Sequence, residues 1–392
     1  MLAATALIFI ALGLGFGAWA GSVPLVKTAF GLDALHLGGV LLAVATGSIV
    51  SMSRMGRVVA HHGACACAIA AGAGFALAFL PLLLASGWRF GAFLACAALL
   101  GAAMGAMDVA MNAMASGIER STGRSVMSRL HAGFSLGGFG GALVASTLLA
   151  RGVHLAGLYA AAAVLVALPM TLAAWRARRA DAPNPAPTPA ASTPPPDRVA
   201  LPGAALGVVG ALTALAMICE GAVGDWGGIF TTEALGAPPD DGPLGYAAFS
   251  ATMVAMRLAG DRVRERFGAT PLMAGGALVA MVGLLAVAAA PTPVWALAGF
   301  ALTGIGLATL VPLAYSLAGQ LGERAAGEAG AARALARAAS WGYGGFLLGP
   351  PLVSAVIAAT SLRGGFASLA ATALAMAGLV AWLAAGRSRS AR

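Results

Sequence analysis

Two acids stand inside long apolar stretches of this 392-residue chain, and any chemistry it performs must be built around them. Asp108 lies within a run of Ala, Gly, Leu and Met, and Glu220 lies within another. An ionised carboxylate at the centre of a lipid-embedded helix costs roughly 2.5–3.5 kcal/mol on insertion scales, so each acid must face protein or water. A carboxyl withdrawn from water can take up and release a proton near neutral pH, which is the physical basis for proton coupling. At about 100° per residue, Gly101, Gly105, Asp108, Asn112 and Ser116 share one narrow helix face. Asp108 and Asn112 therefore either line a polar cavity or hydrogen-bond between helices. Met104, Met107, Met111 and Met114 form the neighbouring face, suited to adaptable packing. Thr213, Met217, Glu220 and Gly224 make a second stripe, followed by Asp225 and Trp226, in a segment whose glycines at 221, 224, 227 and 228 make it easy to unwind. Tyr315 stands beside a face formed by Thr309, Pro312 and Ser316, with Pro312 placed to kink its helix.

Other chemistries find no support. There is no Walker loop, no nucleophile with a base at suitable spacing, and no set of metal ligands. His36, His61, His62 and His154 fall in loops or at stretch ends, and His131 opens the fifth stretch beside Arg129, where it either titrates or packs. Cys65, Cys67, Cys96 and Cys219 all sit in apolar runs and read as small buried hydrophobes. No cofactor or metal is expected; the two acids point to the proton as the ion they would handle. The formal charge of +9 does not form a nucleic-acid-binding patch, because the arginines are dealt out in small groups that suit anionic lipid headgroups.

The elements that must position these residues are membrane spans. With 60% hydrophobic and 9% charged residues and a mean hydropathy of +0.89, the composition is far from the about 25% charge of a soluble domain. A bilayer core needs about 20 apolar residues per helix. The chain divides into twelve such pieces at about 3–23, 35–53, 64–86, 90–117, 131–150, 155–175, 201–222, 243–260, 271–290, 294–318, 339–359 and 365–385. Nineteen of the 23 basic residues, Arg257 and its neighbours at the end of the eighth stretch included, fall in alternate gaps and the C-terminal tail; only Lys27, Arg89, Arg151 and Arg363 fall in the others. The positive-inside rule then places both termini in the cytoplasm. All seven Trp residues lie near proposed helix ends, as aromatic belts require. The run 176–200 is rich in proline and reads as an extended cytoplasmic linker between a first half at 1–175 and a second at 201–392, which ends in a short basic tail. The halves repeat at a shift of about 207 residues, pairing Leu37-Gly38 with Leu244-Gly245 and Trp19 with Trp226. Gly322 to Ala338 reads as a short cytoplasmic surface helix. Gly13, Gly17 and Gly21 form a stripe for helix packing or for close approach of a substrate.

Twelve spans, cytoplasmic ends, a central linker and two related halves resemble the major facilitator superfamily over essentially the whole chain. The resemblance implies an all-α integral membrane fold of two six-helix bundles, in which spans 1, 4, 7 and 10 line the pathway. It also implies a conformational latch at the inner ends of the second and eighth spans. Arg257 to Arg266 keeps the superfamily's Asp-Arg pair as Asp261-Arg262, whereas Ser53-Arg54-Met55-Gly56-Arg57 has serine where the acid is expected, leaving Arg54 and Arg57. Met107 to Ala113, Met127 to Gly138 and Glu220 to Trp226 resemble a bacterial branch related to fucose permeases and rhizopine transporters. That likeness implies a sugar-like or cyclitol-like solute and proton symport.

The expectation is a monomeric secondary transporter of a small polar solute in the bacterial inner membrane, not an enzyme. Asp108, Asn112, Glu220, Asp225 and Tyr315 bind solute or couple protons; Arg54, Arg57, Asp261 and Arg262 gate. The alternatives are efflux of an amphipathic compound by proton antiport, favoured by the methionine face, and a non-transporting receptor or scaffold.

Overall fold

Apolar runs in lipid can satisfy their backbone groups only by pairing internally, and helices do so within each segment. The computed structural model describes residues 1–85, 90–122, 126–179 and 203–390, the side chains of 261, 328, 329, 332 and 386–390 excepted. Among them run twelve helices: α1 (Leu2–Phe30), α2 (Ala34–His62), α3 (Ala64–Ala85), α4 (Phe90–Thr122), α5 (Met127–Ala150), α6 (Leu155–Arg179), α7 (Gly203–Ile229), α8 (Gly242–Phe267), α9 (Ala269–Ala288), α10 (Pro293–Gly327), α11 (Arg333–Ala359) and α12 (Leu362–Ser390). Eleven are long and apolar enough to cross a membrane. The exception, α8, is made less apolar by Tyr246, Ser250, Thr252 and Arg257, yet it packs among α5, α7 and α10 as the twelfth span. Successive helices alternate in direction, so one end of the molecule bears both chain termini. Of the linker expected at 176–200, residues 180–200 lie outside the described residues.

The helices form two six-helix bundles with the same internal pairing. In the first, α1 packs on α5, α2 on α4 and α3 on α6; in the second, α7 packs on α11, α8 on α10 and α9 on α12. The bundles meet where α5 crosses α8 and α2 crosses α11. Within the first bundle the seam is made of glycine. A Cβ on Gly13 or Gly17 would strike the backbone of Phe134 or Gly138, and one on Gly137 or Gly141 the backbone of Ile10 or Leu14. Without a hydrophobic driving force between helices in lipid, this close approach is what holds them. Gly345 repeats the device against Ala214 in the second bundle.

Four expectations from the sequence are corrected. The glycine-rich end of α7 does not unwind: it stays helical to Ile229 and adds a π turn, Phe230–Ala234. Its glycines give room instead to Phe16, Phe300 and Pro24. Gly322 to Ala338 is not a separate surface helix, because α10 runs on to a break at Ala326 (φ −154°) and Gly327 (φ 60°), where the chain turns into α11. Gly322 and Gly330 touch across that bend, and the left-handed Gly327 suits a residue without a Cβ. Trp19 and Trp226 are buried rather than interfacial, while Trp175, Trp295, Trp341 and Trp382 are exposed; Trp88 lies outside the described residues. Finally, residues 176–179 continue α6 as helix and do not begin the linker. On α4, the backbone of Val44 and Ser48 in α2 covers Gly101 and Gly105. The helix of α10 is interrupted at Ala308 and Thr309, just ahead of Pro312, as a proline kink requires.

Candidate functional site

Side chains with chemistry collect along the seam between the bundles. Beyond Gly105 the α4 face opens, and Asp108 there accepts a hydrogen bond from the Tyr343 hydroxyl of α11 at 3.2 Å. Asn112, one turn on, donates to the Asp108 carboxylate at 3.1 Å and to its backbone carbonyl at 2.9 Å. Neither α10 nor α11 packs closely on α4, so the Asp108–Tyr343 bond spans a seam that backbone contact leaves open. The Tyr315 hydroxyl lies against Gly342, next to Tyr343, within electrostatic reach of both Asp108 and Glu220. Asp108, Asn112 and Tyr315 are thus brought together.

Glu220 faces Arg257, which falls near the end of the eighth apolar stretch yet sits within α8 with its side chain largely buried. Arg257 of α8 is only 8% exposed, and its Nη2 lies 3.7 Å from Glu220 Oε1. Its Nη1 donates to Ser135 Oγ at 2.6 Å and to the His131 carbonyl at 3.3 Å, both on α5 of the other bundle. Its Nε reaches the Ala308 carbonyl at 3.5 Å, at the interruption in α10. One guanidinium therefore joins an acid of its own bundle to the backbone and a hydroxyl of the other. The His131 ring packs edge-on against Phe9 at 5.2 Å. Asp225 stands apart, about 7–8 Å along the helix from Glu220, where two narrow gaps meet.

Among the described side chains, the gating residues Arg54, Arg57 and Arg262 are not brought together. Arg54 and Arg57 are exposed; among the described residues Arg54 bonds only to the Val50 carbonyl of its own helix, and Ser53 does the same. Arg262 is exposed, and the side chain of Asp261 lies outside the described residues. It is Arg264 that reaches α10, at Ser316.

At the end away from the termini the bundles are shut. Lys27 of α1 makes a forked ion pair with Glu233 at 2.6 and 2.7 Å. A Cβ on Gly38 would meet Ser354 of α11, and one on Gly228 or Gly21 would meet Pro24 or Pro243 across the seam.

Tyr343, Arg257, Ser135 and the Lys27–Glu233 pair escaped sequence reasoning. The signal for Arg257 was present: it falls inside the span drawn at 243–260, and an arginine within a span is rare. Tyr343 sits among glycines and carries no charge to mark it.

Comparison with known proteins gives a consistent picture. A family model described as the Major Facilitator Superfamily matches residues 5–344. An MFS-type transporter of Yersinia pestis is 32% identical over 375 residues, covering 95% of this chain and 93% of the relative. Membrane protein MosC of Rhizobium meliloti is 30% identical over 370 residues, covering 92% and 84%. Among solved structures, a mutant of the nucleoside transporter NupG superimposes with a TM-score of 0.73 at 13% identity, covering 97% of this chain and 99% of the other. The human organic anion transporter MFSD10 does so with a TM-score of 0.68 at 15% identity, covering 96% and 99%. At such identities the structural likeness establishes the fold alone.

Proposed function

The chain belongs to the major facilitator superfamily and is a multi-pass membrane transporter, and on that premise we propose that it carries a small polar solute, sugar-like or cyclitol-like, across the bacterial inner membrane by proton symport. The observation that carries the reading is the pair of acids bonded across or beside the bundle seam, Asp108 to Tyr343 and Glu220 to Arg257. Asp108, Asn112, Tyr315 and Tyr343 offer hydroxyl-directed donors and acceptors to a solute. Glu220, by holding or releasing a proton, sets how firmly Arg257 is held, and Arg257 in turn grips α5 of the opposite bundle. Proton uptake on Glu220 weakens that anchor, and the bundles rock about a midplane site. Units at 1–175 and 201–392 move against each other, joined by the stretch that follows the end of α6 at Arg179. The basic residues gathered at the termini-bearing end favour a cytoplasmic position for it under the positive-inside rule.

Efflux of an amphipathic compound finds less support. Met107, Met111 and Met114 are buried within their own bundle, and Met104 lines a narrow gap at the seam. The test is purified protein in proteoliposomes with a solute gradient and a pH-sensitive dye inside. Solute-driven proton entry is expected, lost in Asp108→Asn or Glu220→Gln. Intact coupling in both variants would refute the assignment.

A further inference from the structure

Asp225 is an acid in the interior whose charge no side chain among the described residues answers. Arg257 is committed to Glu220 and α5, and Lys27 to Glu233. Among the described residues, Asp225 accepts no hydrogen bond and forms no ion pair. Its surroundings are aromatic. One gap beside it is lined by Trp226 and Phe346, both of the second bundle. The other crosses to the first bundle and is lined by Phe16 and Trp19, with Phe346 and Asp225 shared between the two. Trp19 and Trp226 are the pair that the internal repeat relates, so the two halves each contribute an indole while only the second contributes the acid.

A second, independent observation points the same way. The Trp226 side chain is buried, and its Nε1–H has no acceptor among the described residues. A buried indole N–H ordinarily finds one. Asp225 and Trp226 both line one gap; among the described residues the acid has no cation and the buried indole N–H has no acceptor. Ring faces carry negative potential and attract an organic cation, most strongly when it is desolvated. A neutral polyol can bond to the carboxylate and stack its C–H faces on the rings, but it lacks the charge that both attract. An inorganic cation would want about six oxygen ligands, where these walls offer one carboxylate amid rings and methylenes. Both gaps are narrow; the second has walls from both bundles, so rocking widens it, and the first lies beside it between α7 and α11 of the second bundle.

From this we infer that the transported solute bears a protonated amine, seated against Asp225 between rings of both bundles, with a neighbouring oxygen accepting the Trp226 N–H. The inference rests on the transport reading above and narrows its polar solute to an amine-bearing one.

The test uses the full chain in proteoliposomes with labelled glucose and labelled glucosamine, and choline as competitor. Glucosamine is expected to be held about tenfold more tightly than glucose, and choline to compete with it. Asp225→Asn should erase that preference, weakening glucosamine severalfold more than glucose, which loses only a hydrogen-bond acceptor. Trp226→Phe keeps a ring but loses the donor, so it should weaken glucosamine and glucose alike and spare choline. Should Asp225→Asn not fold, Phe346→Leu carries the same test through a severalfold loss of the amine preference. Equal binding of glucose and glucosamine, or an Asp225→Asn that alters proton coupling but not their ratio, overturns the amine assignment and leaves the transport reading standing. No uptake of either sugar and no proton movement with either overturns both.

Discussion

Removing the Arg257 side chain would leave Glu220, Ser135 and two backbone carbonyls without their shared donor. Truncating one member of a buried charge pair costs more than the pair is worth, because the survivor stays in place uncompensated. Arg257→Leu is therefore expected to lower stability by about 3 kcal/mol, and Glu220→Gln, whose partner keeps its α5 bonds, by about 1 kcal/mol. The double variant should lose clearly less than the two together, read from unfolding in detergent; strict additivity would mean that the pair is not coupled. A second prediction separates structure from coupling at Asp108. Tyr343→Phe removes one donor and should cost about 1 kcal/mol along with part of the uptake rate. Asp108→Asn keeps an acceptor for Tyr343, so stability should hold within about 0.5 kcal/mol while proton coupling disappears. At this scale the sequence was legible where a charge interrupted an apolar run, as at Asp108 and Glu220. It was illegible where the partner came from a distant span, since Asp108 and Tyr343 are 235 positions apart. Arg257 misled because a basic residue near a helix end looks like a loop charge until its neighbours are known.

Between residues and the whole, the helix seams decide what the elements tolerate. A Cβ at Gly17 has nowhere to go, since the Gly138 carbonyl and the Ala142 amide occupy its place, and backbone cannot step aside as a flexible side chain can. Gly17→Ala is expected to cost about 2 kcal/mol by forcing α1 from α5. Gly39→Ala, exposed on α2 with nothing within 4 Å, should be neutral or slightly stabilising through helix propensity. Thermal denaturation of the two variants side by side checks this; equal shifts would show that the seam does not hold the helices. The existence of the spans was legible because apolar length is a demand of the bilayer itself. Their ends were not: α1 runs through Pro24 to Phe30, and α10 and α11 extend past the lipid-length estimate to meet in a glycine bend. Helices continue wherever another helix covers them, and hydropathy does not register that cover. The same limit explains the tryptophans, since position near a span end gave no sign that Trp19 and Trp226 turn inward.

For the molecule as a whole, the question is what closes the end away from the termini and at what strength. The glycine and proline contacts between α2 and α11, α1 and α8, and α1 and α7 are matters of shape, available only when the bundles have come together. Lys27–Glu233 acts over a longer range and is partly exposed, at 18% and 40%. An ion pair in that setting is worth up to about 1 kcal/mol, enough to shift a two-state balance about fivefold and too little to lock it. A transporter that must reopen each cycle needs a tie of that size. Lys27→Glu sets like charges opposite each other and should cut uptake severalfold by holding the far end apart; Glu233→Lys should do the same. Exchanging both residues restores attraction with the same atoms in reversed order, and uptake should return to near its original rate. Raising salt to about 0.5 M screens an exposed pair, so the single variants should recover in part while the exchanged pair changes little. A double exchange as slow as the single ones would show that the side chains' shapes, not their charges, keep this end closed.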